Sequence, residues 1–131
     1  MLDKETIFAS ADDERERVEI PEWGGELYVR VMTGTERDCY EAELIEMERK
    51  KVPLVQQLKD ARAKLVVLTT VDEDGRRIFD DEDVEKVGQK SFKVLDRICS
   101  VAQRLNLLTD EAIETIVGNS NTSGDAGSTS G

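Results

Sequence analysis

The strongest constraint on the fold is the apolar pattern between residues 92 and 108. At about 100° per residue, the apolar side chains of this stretch fall on one side of a helix and the charged side chains on the other. The apolar positions are Val94, Leu95, Ile98, Cys99, Val101, Ala102, Leu105 and Leu108. They span roughly 200°, about twice the arc that a helix needs to face one core. We therefore expect this helix to be covered from two directions, by other elements of the chain or by a partner.

A shorter apolar stripe precedes it and predicts a second amphipathic helix. Its members lie within an arc of roughly 80° and are Leu54, Leu58, Ala61, Leu65 and Leu68. Between the two helices, Asp74-Gly75 with apolar neighbours on both sides predicts a tight turn, because Gly accepts positive φ and Asp bonds its own backbone. The two helices are therefore expected to be connected by a chain reversal.

The N-terminal part of the chain has a different periodicity. Apolar and polar residues alternate on both sides of Gly24-Gly25, which predicts a β-hairpin over residues 18–32. Pro21 has no N–H to donate, so the first strand must end there or lie at a sheet edge. Trp23, beside the turn, is interpreted as a lid over the apolar face of the hairpin, with ligand stacking as the alternative.

Capping residues and breakers divide the rest of the chain into helices. Thr33-Gly34-Thr35-Glu36 has the form of a capping box, Pro53 interrupts the helix that follows, and Asp80 begins another. The predicted helices are about 34–51, 54–70, 81–87, 90–106 and 110–117. The expected fold class is α+β, mainly α, with the N-terminal β-hairpin packed on a small bundle of about four to five helices.

The length of 131 residues predicts a single domain. We expect a partly ordered N-terminal segment at 1–17, the domain itself at 18–118, and a tail at 119–131. The tail contains only Asn, Ser, Thr, Gly, Asp and Ala. Because these residues bury too little apolar area to become ordered, the tail is predicted to be disordered.

The charge balance disfavours several classes of partner. A formal net charge of −11 opposes binding to a phosphate backbone or to an anionic membrane surface, so we expect neither nucleic acid nor membrane as partner. Mimicry of duplex DNA stays open as another meaning of that charge. No stretch approaches the roughly 18 apolar residues of a membrane-spanning helix, and no secretory signal is recognised. With Cys39 and Cys99 in helical patterns, a reducing, cytosolic location is expected.

Chemistry-bearing motifs are scarce. The chain contains no histidine, which removes Ser–His and Cys–His nucleophiles and His-ligated zinc. Asp72-Glu73-Asp74-Gly75 suggests a calcium loop, but its alignment puts Thr70 at position one and the short Asp81 at the bidentate position twelve. Close carboxylate pairs are expected by chance among 29 acidic residues. We therefore predict no catalytic residue, no cofactor, no metal and no enzymatic activity.

The order of these motifs resembles the tail assembly chaperone family of long-tailed, siphovirus-type bacteriophages and prophages. The resemblance covers about Val18 to Asn106. The motifs that carry it are Val18-Glu19-Ile20-Pro21-Glu22-Trp23-Gly24-Gly25, Met32-Thr33-Gly34-Thr35-Glu36-Arg37-Asp38, Ala61-Arg62-Ala63-Lys64-Leu65-Val66, Val71-Asp72-Glu73-Asp74-Gly75, Gly88-Gln89-Lys90-Ser91, Leu95-Asp96-Arg97 and Val101-Ala102-Gln103-Arg104-Leu105-Asn106. No single motif is diagnostic, whereas the ordered set is fairly specific.

The resemblance implies a non-enzymatic protein that binds the long, largely helical tape measure protein in the cytoplasm of the bacterial host. It implies that the protein keeps this partner soluble, assists the tail tube protein in polymerising around it, and is shed before the virion matures. A longer, frameshifted form of the chain is a further implied partner, and a homo-oligomer is another. Two alternatives stay open: a head–tail or tail component retained in the virion, and an acidic adaptor that acts on a host partner.

Part of the apolar surface is a candidate partner-binding site, because a chaperone for an amphipathic helix needs an apolar groove flanked by polar residues. The candidate residues, which would face a partner or a second copy of the chain, are Val55, Val66, Val94, Ile98, Val101 and Leu105. The alternative is that these side chains fill the core of the chain itself, which is the commoner fate of such stripes.

Overall fold

The alternating segments form a β-hairpin in the computed structural model, which describes residues 1–108. Strand β1 (Arg15–Ile20) pairs antiparallel with β2 (Gly25–Arg30) along its whole length. A 3-10 turn, Pro21–Trp23, joins them and is followed by Gly24, whose φ of 80° suits a residue without a Cβ. β1 both ends before Pro21 and lies at the sheet edge, as the missing N–H requires.

A third strand completes the sheet in the order β1-β2-β3. Strand β3 is only Thr70–Val71 and pairs antiparallel with β2. The sequence pattern does not predict it, because two residues carry no alternation that distinguishes a strand from the end of a helix. β1 begins at Arg15, three residues before the predicted hairpin 18–32, so the sheet includes the last residues of the predicted N-terminal segment.

Five helices lie within the described residues. They are α1 (Lys4–Ala9), α2 (Gly34–Arg49), α3 (Leu54–Thr69), α4 (Val84–Gly88) and α5 (Phe92–Leu105). The ends of α2, α3 and α5 lie within two residues of the predicted ones. The predicted helix 81–87 differs more, because its first turn, Asp81–Asp83, is a 3-10 turn. The predicted helix 110–117 and the predicted tail 119–131 lie outside the described residues.

Helix α5 forms the centre of the core, with the sheet on one side and α3 on the other. Its buried residues are Val94, Leu95, Ile98, Cys99 and Ala102. Its broad apolar side is therefore covered from two directions by the chain itself. The resulting arrangement confirms the predicted class, α+β and mainly α, with the sheet at the N-terminal end of the fold.

Asn106, which follows α5, connects that helix to the start of α2. Its buried side chain accepts a hydrogen bond from the Met32 amide at 2.7 Å and donates two, to carbonyls in β2 and α5, at 3.2 and 2.9 Å. Arg37 in α2 donates to the carbonyl of Asn106 at 2.7 Å. Two motifs that carry the family resemblance, 32–38 and 101–106, therefore meet at one hydrogen-bonded junction.

The predicted reversal at Asp74-Gly75 is present, with Gly75 at a φ of 82°. The carboxylate of Asp72 closes the turn by accepting hydrogen bonds from the amides of Asp74 and Arg76, each at 2.9 Å. The bond from the Arg76 amide is the main reason that the pKa of Asp72 lies below its usual value. The hydrogen bonds that close the turn therefore account for an aspartate at position 72, and no calcium ion is needed to explain it.

Candidate partner-binding surface

Helix α3 is packed into the core over only part of its length. Its buried residues, Ala63, Leu65, Val66, Val67 and Thr69, all lie in its C-terminal half. Near the middle of the helix, the Tyr40 hydroxyl of α2 donates to the carbonyl of Ala61 at 2.9 Å. The N-terminal half extends beyond this contact, by about 10 Å at 1.5 Å per residue.

The extended half carries an exposed apolar stripe, which we define as Leu54, Val55 and Leu58. These side chains are 67%, 69% and 53% exposed, respectively. Leu54 and Leu58 belong to the same helical stripe as Leu65, which is 1% exposed. The amphipathic pattern of α3 is therefore present over the whole helix, but the described chain covers only its C-terminal half.

A shallow groove lies beside Arg62, where α3 passes the start of α5. The guanidinium of Arg62 stacks on the Phe92 ring at 5.3 Å from its centroid, and the ring remains 63% exposed. This Phe92 groove has a volume of about 120 Å³ and is lined by Lys59, Arg62, Ala63, Gly88, Lys90, Phe92 and Leu95. It combines an exposed aromatic ring with three cations.

The six candidate residues from the sequence separate into three groups. Val66, Val94 and Ile98 are fully buried in the core, and Val101 and Leu105 are half-buried against it. Val55 alone among the six is largely exposed, and it belongs to the stripe on α3. Val66, Val94 and Ile98 are buried because α5 packs against α3 and against the sheet of the same chain.

Leu54, Leu58 and Phe92 are surface residues that the candidate set lacks. The first two were visible in the sequence as the beginning of the α3 stripe, and Pro53 before them marks a helix that starts there. What the sequence does not reveal is that α5 crosses α3 near its middle. Phe92 carries no such signal, because a single aromatic residue in the first turn of a helix fits a core position equally well.

A second depression, with a volume of about 590 Å³, lies between the β1–β2 turn and α4 and shares Lys90 with the Phe92 groove. Half-buried Trp23 packs against the core at its edge, as the lid interpretation expects, and the Lys90 ammonium lies 5.8 Å from the centre of its ring. Glu22 accepts two hydrogen bonds from Arg97, both at 2.8 Å, which lower the pKa of Glu22 to about 2. The depression is lined by both carboxylates and ammonium groups, so its charge favours neither an anionic nor a cationic ligand.

Residues 1–108 contain neither a metal-binding cluster of side chains nor a helix that could span a membrane. No group of three or more Cys, Asp or Glu side chains in this range is arranged to hold a metal ion. No helix in the same range has the length and apolar character needed to cross a membrane. The buried thiol of Cys99 and the exposed thiol of Cys39 are both free. Exposed apolar side chains also lie at α1, namely Leu2, Ile7 and Phe8; the α3 stripe differs from them because the other half of its helix is buried in the core and because it leads to the Phe92 groove.

The chain is similar to a known protein family and to a protein of solved structure. A family profile described as phage tail assembly chaperone matches residues 4–116. Among solved structures, the chain is similar to the tail assembly chaperone of bacteriophage HK97, with a TM-score of 0.56 and 22% sequence identity. That match covers 71% of this chain and 85% of the other. At this identity the structural likeness supports the fold. No curated protein matches the chain.

Proposed function

Because the chain belongs to the phage tail assembly chaperone family, we propose that it binds the tape measure protein of its phage and keeps that polypeptide soluble. In this proposal it assists the tail tube protein in polymerising around the tape measure protein and is then released. It acts in the cytoplasm of the bacterial host and is absent from the mature virion. A longer, frameshifted form of the chain is a further proposed partner.

The exposed α3 stripe is the observation that carries the proposal. A long helical protein that awaits assembly exposes apolar faces, and an amphipathic helix binds most readily to an apolar surface with polar neighbours. Leu54, Val55 and Leu58 provide such a surface at the end of a helix whose other half is anchored in the core. The anchored half holds the stripe in place without covering it.

The size of the stripe also fits a partner that must be released. Covering the exposed parts of three aliphatic side chains contributes roughly 1–2 kcal/mol each, from about 25 cal/mol per Å² of apolar surface. Binding must offset the loss of translational and rotational freedom, which is of similar or larger size. A single copy therefore holds its partner weakly, as a protein that is later displaced by the tail tube requires.

Co-expression with the tape measure protein of the same phage tests the proposal. We expect the wild-type chain to raise the soluble fraction of the tape measure protein, measured by quantitative blotting. The variant Leu54→Asp/Leu58→Asp should lose most of this effect, because two charges replace the apolar contacts. Both positions are exposed, so circular dichroism should show an unchanged fold.

A matched control is Leu107→Asp, which changes a leucine that is 81% exposed and lies outside α3. This control should retain the solubilising effect of the wild-type chain. A wild-type chain that leaves the tape measure protein insoluble would refute the proposed function. Mass spectrometry of purified virions tests release separately, and a stoichiometric amount of this chain in the particles would favour a virion component.

A further inference from the structure

Most arginines of this acidic chain are paired with carboxylates. The arginines with a carboxylate oxygen within 3.1 Å are Arg17, Arg30, Arg37, Arg49, Arg77, Arg97 and Arg104. Lys59, Arg62 and Lys90 belong to the cations that have no carboxylate among residues 1–108 within ion-pair distance, a group that also includes Arg15 and Arg76. What sets the three apart is that they lie together, with Arg62 over the ring of Phe92 and Lys90 over that of Trp23. All three line the Phe92 groove, and none of the described residues lining that groove is acidic. The groove is thus a local cationic site on a chain of net charge −11.

The cations continue the exposed stripe along α3. Leu54, Leu58 and Arg62 follow one another at intervals of four residues, so they lie on one face of the helix. From Leu54 to Arg62 the helix rises about 12 Å. A partner helix that covers the stripe for two turns therefore reaches the Phe92 groove with its following residues.

We infer that the Phe92 groove binds the acidic end of an amphipathic helix in the partner polypeptide. The partner's apolar residues cover the α3 stripe and contact the exposed face of Phe92. Its carboxylates, about one turn further on, pair with Lys59 and Lys90. The inference rests on the proposed function and specifies the sequence that is recognised, which is an apolar helical face followed by Asp or Glu.

Charge complementarity favours an acidic polypeptide over a nucleic acid. Three cations attract a short run of carboxylates, but a phosphate backbone would extend past them onto a strongly acidic surface. Asp60, Glu82 and Glu85 belong to that surface, because they line the adjoining depression that shares Lys59 with the Phe92 groove. A short acidic segment of a peptide contacts the three cations alone, and the apolar residues beside that segment contact the α3 stripe.

An array of overlapping peptides that spans the tape measure protein tests this inference against the labelled, full-length chain. We expect the bound peptides to be acidic and amphipathic, and their affinity to fall as NaCl is raised from 50 to 500 mM. The variant Lys59→Glu/Lys90→Glu should bind the same peptides roughly tenfold more weakly, because attraction at two positions becomes repulsion. Arg62 is kept so that its stacking on Phe92 is preserved.

The matched control is Lys4→Glu/Arg76→Glu, which changes the net charge by the same amount at exposed positions outside the groove. Equal loss of binding in both variants would overturn the inference, because only overall charge would then matter. Unchanged peptide binding in Lys59→Glu/Lys90→Glu would overturn it as well, while co-expression solubility still supported the proposed function. Preferential binding of a DNA oligonucleotide, or self-association that this variant abolishes, would also overturn it. Failure of the wild-type chain in the co-expression assay would instead refute the proposed function.

Discussion

The two halves of α3 have the same apolar pattern but different surroundings. In the C-terminal half, Leu65 and Val66 are buried in the core, where α3 contacts α2, α4 and α5, whereas Leu54 and Leu58 in the N-terminal half face solvent. An amphipathic pattern therefore specifies that a face will be covered, but it does not specify by which molecule. In α3 the apolar face of the C-terminal half packs into the core, and this packing holds the exposed apolar face of the N-terminal half in place.

The largest expected effect is a difference in the free energy of unfolding between two Leu→Ala variants, one in each half of α3. Leu65→Ala should lower the free energy of unfolding by about 3 kcal/mol, because it leaves a cavity in the core. Leu58→Ala should change it by less than about 0.5 kcal/mol, since an exposed leucine and an alanine are similarly good helix formers. Urea denaturation followed by circular dichroism measures both values. Equal destabilisation would show that the N-terminal half is covered in solution and would remove the contrast.

A smaller effect is expected at the junction that fixes the anchored part of the fold. Asn106→Ala removes three side-chain hydrogen bonds at a buried position and leaves the Met32 amide without its acceptor. We expect a loss of about 2 kcal/mol in the free energy of unfolding. Asn106→Asp keeps the acceptor for the Met32 amide but places a buried carboxylate oxygen against the carbonyls of Arg30 and Ala102, so it should be no more stable than Asn106→Ala at pH 7. If Asn106→Ala leaves the free energy of unfolding unchanged, this junction does not hold α5 in place.

Hydrophobic periodicity predicts most of the fold but not its contacts. The α5 pattern required cover on two sides, and the alternating N-terminal segments and α3 provide that cover. Capping signals were equally direct: Thr33 and Glu36 exchange side-chain to backbone hydrogen bonds at 3.1 and 2.9 Å, and α2 begins there. These features are local, so a short stretch of sequence determines them.

The candidate surface depends on how distant elements cross, which local patterns do not encode. Val66 and Val55 look alike in sequence, yet one lies where α5 crosses α3 and the other lies before that point. Strand β3 was missed for the same reason, since Thr70–Val71 becomes a strand only because β2 is beside it. The cationic groove likewise joins residues from α3 and from the start of α5.

The smallest effect concerns the ion pair between Glu22 and Arg97, in contrast to the cations of the Phe92 groove, which have no carboxylate partner among residues 1–108. The hydrogen bonds from Arg97 lower the pKa of Glu22 from 4.5 to about 2, so the pair stabilises the folded chain above pH 4.5. That contribution is lost as the pH falls from 4.5 through 2, because Glu22 becomes protonated in the folded state. The melting temperature of Glu22→Gln should therefore lie slightly below that of the wild type at pH 7, and the difference should shrink towards pH 2.5. Glu5→Gln, an exposed change in α1, is the control for the substitution itself. A Glu22→Gln difference that stays constant with pH would show that the charge of Glu22 does not stabilise the fold, and the pair would then differ from the Phe92 groove in geometry alone.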